Sequence, residues 1–343
     1  MPGAIAGLVA VGAVAALYTQ LGAFGLGLAP AALLLLLAVP AFGAGAAALR
    51  RAGGGAGAVG ASRYPLGLAG PALAYYVAFF GVPLAFLVLF AFATPVGFGE
   101  VQYGFDLGNF DVALSGVYVD AFLRTLRFAA IGTLLTVLVG CPLAYWLARY
   151  VPEERKGLML ALVIVPFWTS FLIRTSSFLI AFSDDFPLAR GLRAVGLTEG
   201  RLGLLYTDTA VQIGIVYNYL PLFVLPAYAA LERIDWRLID AAGDLGASPW
   251  TSFRQITAPL AAPGIITGAL LVFIPMMGEY IIPIVLGGGR IDLIGNVIGR
   301  SFLEQRDYAF GSALALLVML ALSGLIALYL YLSTRSEAET SAA

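Results

Sequence analysis

The 343 residues contain no histidine, a single cysteine and a single lysine. Without histidine there are no His-based zinc sites, no histidine general base and no Ser-His-Asp triad. Lys156, the only lysine, stands in "ERKGL", so there is no phosphate-binding loop of the form GxxxxGK[ST]. "GAS" at 246–248 runs into Pro-Trp and is not a GxSxG nucleophile elbow. Cys141 permits no internal disulfide and carries no information about redox compartment. Charge is scarce as well: 11% of residues are charged, where soluble domains have about a quarter. The net charge of −1 argues against a nucleic-acid partner, which calls for a basic face. No catalytic constellation and no metal site remain. The chain is not expected to be an enzyme, to hold a cofactor or to hydrolyse ATP by itself.

What is abundant is apolar sequence, at 61% of residues and a mean hydropathy of +0.93. Such a chain must sit in lipid. A spanning helix needs about 20 mostly apolar residues. Six strong candidates are 68–94, 125–148, 158–182, 209–231, 263–286 and 308–332. Residues 1–49 carry no charge and are too long for one crossing. With Gln20 and Gly22 as a turn they divide into two further helices, 3–19 and 24–49. A signal peptide is the alternative, but the first ten residues lack the Lys or Arg of its leading region. "RRAGGGAGAVGASR" within 50–64 then reads as a Gly-rich linker.

Arginine and lysine in the short loops set the orientation. Arg50, Arg51 and Arg63, then Arg149, Arg155 and Lys156, then Arg233, Arg237 and Arg254, and finally Arg335 all fall on one face by helix parity. That face is cytoplasmic. The loop at 95–120 has Glu100, Asp106, Asp111 and Asp120 but no Lys or Arg, as suits an external loop. The external loops 183–208 and 287–307 carry three arginines each, so the bias is modest.

On the cytoplasmic face, "DAAGDLGASPWTSFRQITAPL" (240–260) interrupts the apolar pattern. Ser248-Pro249 is a helix start, a hydroxyl N-cap followed by proline where the missing N–H costs nothing. Trp250, Phe253 and Thr257 then recur at helical spacing as an apolar ridge. Gly246 permits a sharp bend just before it, and Pro259 and Pro263 stop the helix. Upstream, "RLIDAAGDLG" forms a second short helix, in which Ala241 and Ala242 allow close packing. One reading is a helix resting among lipid headgroups. A lipid-seeking helix is usually rich in Lys or Arg, and this one has mainly Arg254, so docking on a protein partner is preferred.

This passage resembles the EAA loop of ABC importer permeases. That pattern is an acidic residue followed by Ala-Ala, a glycine four positions on, and a hydrophobic–x–x–Pro ending. Asp240-Ala241-Ala242, Gly246, Ile256 and Pro259 match it, with Asp240 where glutamate is usual. In that family the loop, here about 236–262, is a coupling helix seated in a groove of a separate ATPase. The resemblance therefore implies a coupling role for Asp240, Ala241, Ala242, Gly246, Ser248, Pro249, Trp250, Phe253 and Pro259. "VPFWTSFLIRTSSFLIAF" (165–182), "YNYLPLFVLPAYAALERID" (217–235) and "VFIPMMGEYIIPIVLGGGRIDLIGNVIGRSF" (272–302) further resemble the first permease subunits of spermidine/putrescine importers.

The implied fold is an all-α polytopic membrane protein of the inner membrane. Its six-helix MetI-like permease core spans 65–333, with a two-helix N-terminal extension at 1–49 and a cytoplasmic tail at 334–343. The implied partners are an ATP-binding subunit dimer, which uses the ATP, a second permease of a different chain, an external solute-binding protein and membrane lipid. Polyamine is the first expectation for the solute; ferric iron, an opine or another small organic cation is the alternative.

Charges inside spans cost roughly 2.5–3.5 kcal/mol each on insertion and are functional candidates. Arg174 and Glu279 are two such residues, and Tyr217, Asn218 and Tyr219 open the fourth strong span. Either Arg174 and Glu279 pair, or contact backbone, to fix helix packing, or they line the pathway. In the second reading Glu279 favours a cation, with the aromatic faces of Trp168 and Tyr280 attracting it. Gly264 and Gly268 form a GxxxG, a close helix-packing face that can meet the partner permease. Asp184 and Asp185 meet a cationic solute or are simply solvated. A self-sufficient, ion-driven transporter is the rival class, but it expects several acidic or histidine relay groups and paired interrupted helices.

Overall fold

The computed structural model describes residues 75–195 and 203–342. The expected extension at 1–49 and the linker at 50–64 lie outside the described residues. Contacts divide the chain into two units, Met1–Phe92 and Ala93–Ala343. In the first, an apolar helix α1 covers Val77–Ala91, with Tyr75 stacked on Phe79 and Tyr76 on Phe80.

The second unit opens with a short antiparallel hairpin, β1 (Thr94–Gly97) and β2 (Glu100–Gln102). Asp106 closes it, accepting from the Gly108 N–H at 2.8 Å and the Thr94 hydroxyl at 2.9 Å. These two donors hold its carboxyl below the usual range, the Gly108 amide most. Ten helices follow. They are α2 (Gly108–Ala113), α3 (Gly116–Arg149), α4 (Glu153–Ile164) and α5 (Phe171–Ala181). Next come α6 (Pro187–Ala194), α7 (Asp208–Glu232) and α8 (Arg237–Asp244). The last are α9 (Pro249–Met277), α10 (Ile281–Gly287), α11 (Ile294–Leu303) and α12 (Tyr308–Ala342).

Among the described residues, four helices are long and apolar enough to cross a membrane: α3, α7, α9 and α12 through Ala327. A fifth apolar stretch is bent: α4 and its 3₁₀ extension Val165–Trp168 meet α5 at 91°, the shape of a broken span or a re-entrant loop. The apolar run 158–182 is thus not one straight helix. Pro166 opens the 3₁₀ turn, Thr169 is extended and Ser170 caps α5, so the backbone turns where hydropathy alone sees continuity. The last helix continues through the expected tail to Ala342.

Helix α7 is the axis of the second unit. Thr207 caps it by accepting from the Ala210 N–H at 3.2 Å, and Asp208 in the first turn suits its positive end. It packs along α3 and α9. Val211, Ile215, Phe223, Val224, Ala227 and Leu231 are buried in the main core. Thr125 of α3 donates its hydroxyl to Ala121 O at 2.7 Å and accepts the Ile294 N–H at 2.8 Å, tying α11 to α3.

Two expectations about α9 are corrected. The sequence reading stops a helix at Pro259 and Pro263, yet α9 runs from Pro249 to Met277. A π-helical turn, Phe253–Thr257, ends one residue short of Pro259, with the Ala258 N–H bonded to Phe253 O. A wide turn relieves the clash of a proline ring with the carbonyl four residues earlier. The end of the span also differs: 263–286 is broken at Gly278–Tyr280 between α9 and α10.

Candidate coupling surface and transport pathway

The passage expected to face the cytoplasm folds as two short helical stretches around a tight turn. Asp235 accepts the Arg237 N–H at 3.1 Å at the start of α8. At its end Gly246 has φ +86°, with its N–H on Gly243 O and the Ala247 N–H on Ala242 O, both at 2.9 Å. This pair of bonds is the Schellman close, in which a left-handed residue satisfies the last carbonyls of a helix. Ser248 then caps α9, accepting the Thr251 N–H at 3.2 Å, with Pro249 at the first helical position. Ser248→Ala removes a cap worth about 1 kcal/mol. Hydrogen exchange at the Thr251 amide is therefore expected to speed up roughly fivefold, without loss of the fold; an unchanged rate would show that the cap bond does not protect that turn.

Only part of the expected ridge faces outward. Trp250 is 68% exposed and stacks on Phe253 at 5.7 Å. Phe253 turns inward onto Tyr145, edge-on at 6.0 Å, and Thr257 is fully buried. The π-turn rotates these later positions away from the surface. In their place Leu245, 89% exposed in the turn just before α9, is a second large apolar side chain open to the surface. Leu245 was missed because it lies outside the helical spacing; its signal was a leucine enclosed by "GD" and "GAS".

Asp240 accepts from Arg149 at 2.7 Å, and that guanidinium lies over the Trp236 ring at 5.0 Å. Tyr145, one turn before Arg149 on α3, meets Trp236 edge-on. The acidic residue of the motif thus ties α8 to the C-terminal end of α3. Ala241 and Pro259 are exposed and Ala242 half-buried. Nearby, Lys156 reaches Glu153 at 2.5 Å and Glu232 at 3.6 Å.

In the membrane region the Arg174–Glu279 pair does not form. Arg174 donates through Nε to Asn218 Oδ1 at 2.7 Å and through NH1 to Pro166 O at 3.2 Å. Its guanidinium lies over Phe167 at 4.2 Å. Asn218 is buried and donates to Gly214 O at 2.8 Å and Thr175 Oγ1 at 3.4 Å. Glu279, 5% exposed, stands in the break between α9 and α10 rather than inside a helix. Its Oε1 accepts the N–H groups of Ile281 and Ile282 at 2.9 and 3.1 Å, and its Oε2 accepts the Tyr219 hydroxyl at 2.7 Å. Tyr219, named in the sequence but given no role there, is thus Glu279's side-chain partner. The Asn296 amide donates to Tyr280 O at 2.9 Å and steadies the break from α11. Trp168 is 84% exposed, and Tyr217 and Tyr280 are partly exposed, with Tyr217 edge-on to Phe178 of α5.

The remaining candidates are placed as follows. Gly264 and Gly268 face α7 of this same chain, against Ala230, Pro226 and Phe223, and not a partner permease. Asp184 accepts through its backbone O from Arg193, and Asp185 is exposed.

A family model described as "Binding-protein-dependent transport system inner membrane component" matches residues 53–337. The chain belongs to that family. It is an ABC importer permease, a multi-pass transport subunit of the inner membrane and not an enzyme. The spermidine/putrescine transport system permease protein PotB of Escherichia coli (strain K12) is 36% identical over 255 residues, 74% of this chain and 92% of the relative. PotB of Haemophilus influenzae is 34% identical over 256 residues, 75% of this chain and 88% of the relative. A crystal structure of a bacterial alginate ABC transporter, bound to an alginate pentasaccharide-bound periplasmic protein, matches with a TM-score of 0.60. At 18% identity, covering 77% of this chain and 92% of that chain, it shows the shared fold.

Proposed function

We propose that this permease carries polyamines, spermidine and putrescine, and works with an ATPase dimer, a different second permease and an external binding protein. The observation that carries the reading is the 36% identity to a spermidine/putrescine permease across nine-tenths of that relative's length. The transport domain is assigned to 65–333, with residues 1–49 adding two spans. Energy enters at 236–262, through the surface of Leu245 and Trp250, with Asp240, Ala241, Ala242, Gly246, Ser248, Pro249, Phe253 and Pro259 shaping it. ATP is bound and hydrolysed on the partner subunits. Trp168, Tyr217 and Tyr280 offer aromatic faces that suit a flexible polycation. Glu279, held by Tyr219, and Arg174, held by Asn218, support the wall from behind.

The continuous helix α9 supports a lever mechanism. Its 29 residues extend about 1.5 Å each, from Trp250 in the coupling segment to the break beside Glu279. Closure of the ATPases pushes one end and tilts the other, so that the pathway alternates between inward-open and outward-open.

The test is uptake into proteoliposomes holding the whole complex. Radiolabelled spermidine and putrescine are expected to enter only with ATP and the binding protein together. Uptake of ferric iron or an opine in place of polyamine would overturn the solute. Uptake by this chain alone, driven by an ion gradient, would overturn the importer mechanism.

A further inference from the structure

The two backbone breaks, before α5 and before α10, share one anchoring level. Arg174 of α5 is held by Asn218, and Glu279, just before α10, is held by Tyr219. These are consecutive residues of α7. The same turns receive α10 by packing as well, since Leu286 and Ile282 close on Gly214. Asn218 also reaches Thr175 of α5. By the orientation expected from the loop charges, α5 and α10 are the outward segments that follow these breaks. Helix α5 follows the 3₁₀ turn through Thr169–Ser170, and α10 follows α9 through Gly278–Tyr280, where the α-helical ladder gives way to the three-residue bonds of the Gly278 and Glu279 N–H groups to Pro275 O and Met276 O, at 3.1 and 3.2 Å.

The partners are unusual for two buried charges. Arg174 and Glu279 do not neutralise one another; each is held by neutral groups of α7 and local backbone. A carboxylate has about four acceptor positions, and three on Glu279 are already taken by donors of this chain. That leaves little for an incoming ammonium group, while it binds the first turn of α10 to α7. Charge-assisted bonds are about twice as strong as neutral ones, so each connection is firm yet consists of very few bonds. Few, strong bonds beside a break make a latch that opens in one step.

We propose that Arg174–Asn218 and Glu279–Tyr219 are two latches that hold the outward half-helices α5 and α10 on α7 in the resting transporter. They release when the pathway opens outward, and Glu279 is a positioning residue, not a solute ligand. The proposal rests on the importer reading. Weakening a latch makes the resting arrangement easier to leave, so ATP hydrolysis without binding protein rises while apparent affinity for solute stays put.

The experiment uses the whole complex in proteoliposomes, with Tyr219→Phe, Asn218→Ala and Glu279→Gln. Membrane levels and copurification of the ATPase are measured first. Glu279→Gln keeps the acceptor oxygen and the side-chain length, so it guards against a simple folding defect. Unaltered complex whose ATPase responds to loaded binding protein establishes the importer reading; a complex that never responds fails that reading instead. Given that response, basal ATPase is expected to rise about tenfold in Tyr219→Phe, the factor equivalent to one lost bond to a charged group. Asn218→Ala should act similarly and Glu279→Gln less. KM for solute should change by less than twofold in all three. Unchanged or lowered basal ATPase overturns the latch. A raised KM in Glu279→Gln with unchanged basal ATPase returns Glu279 to the solute.

Discussion

Trp250→Asp and Gly246→Glu are expected to abolish solute uptake, by roughly 100-fold or more, while the amount of protein in the membrane stays normal. The direction follows from what each residue touches. Trp250 is mostly exposed, with its ring stacked on Phe253. Removing it costs the isolated permease little. An exposed tryptophan buried on assembly is the kind of anchor whose loss costs 2–4 kcal/mol or more, and aspartate adds an unpaired charge to the contact. At Gly246 no atom lies within 4 Å of an added Cβ, so the damage is not a clash. The cost is the left-handed φ of +86°, about 1–2 kcal/mol for a residue with a side chain. It is felt at the turn that aims Leu245 and Trp250. The readouts are ATPase copurification and ATP-driven uptake. Normal values for both in Trp250→Asp would remove the coupling role from this surface.

The sequence showed crossings better than it showed breaks. Periodicity and length found α7 nearly residue for residue, because a helix packed on several sides carries apolar side chains throughout and caps with Thr207 and Asp208. Hydropathy counts side chains, whereas a break is a backbone event, so 158–182 reads as one span despite Pro166 and Ser170. The opposite error occurred at Pro259 and Pro263, where two strong stop signals were outweighed by a π-turn and by packing against α7. Local chemistry transferred well where it depends on neighbours alone: Ser248-Pro249 as a start and Gly246 as a bend are properties of four or five residues. The partners of Arg174 and Glu279 depend on tertiary placement across 44 and 60 positions. Opposite charge suggested that the two belong together. Proximity to α7 instead gave each its own neutral partner.

Gly264→Leu is expected to prevent stable assembly of the second unit, with little or no folded protein recovered from the membrane. A Cβ at Gly264 would stand 2.2 Å from the Ala230 Cβ and 2.8 Å from Pro226 O, far inside contact distance. The second of these is backbone in the middle of α7, which cannot swing aside as a side chain can. In lipid the association of helices relies on close van der Waals packing rather than on hydrophobic exclusion, so forcing α7 and α9 apart removes their main attraction. Inserting a single methyl into a full interface costs roughly 1–3 kcal/mol, and leucine adds three more carbons. The milder Gly264→Ala allows a graded check. Combined with Ala230→Gly it loses the 2.2 Å conflict but keeps the carbonyl one, so the pair should recover part of the thermal stability that Gly264→Ala loses. Additive effects of the two substitutions in detergent melting curves would mean that α7 and α9 do not meet at this point. A close contact here also constrains the lever: α9 cannot rotate about its own axis against α7 without driving Ala230 into Gly264. The motion passed from Trp250 to the break at Glu279 is then a tilt or a slide along the glycine face, and Gly264→Ala should slow transport more than it slows ATP hydrolysis.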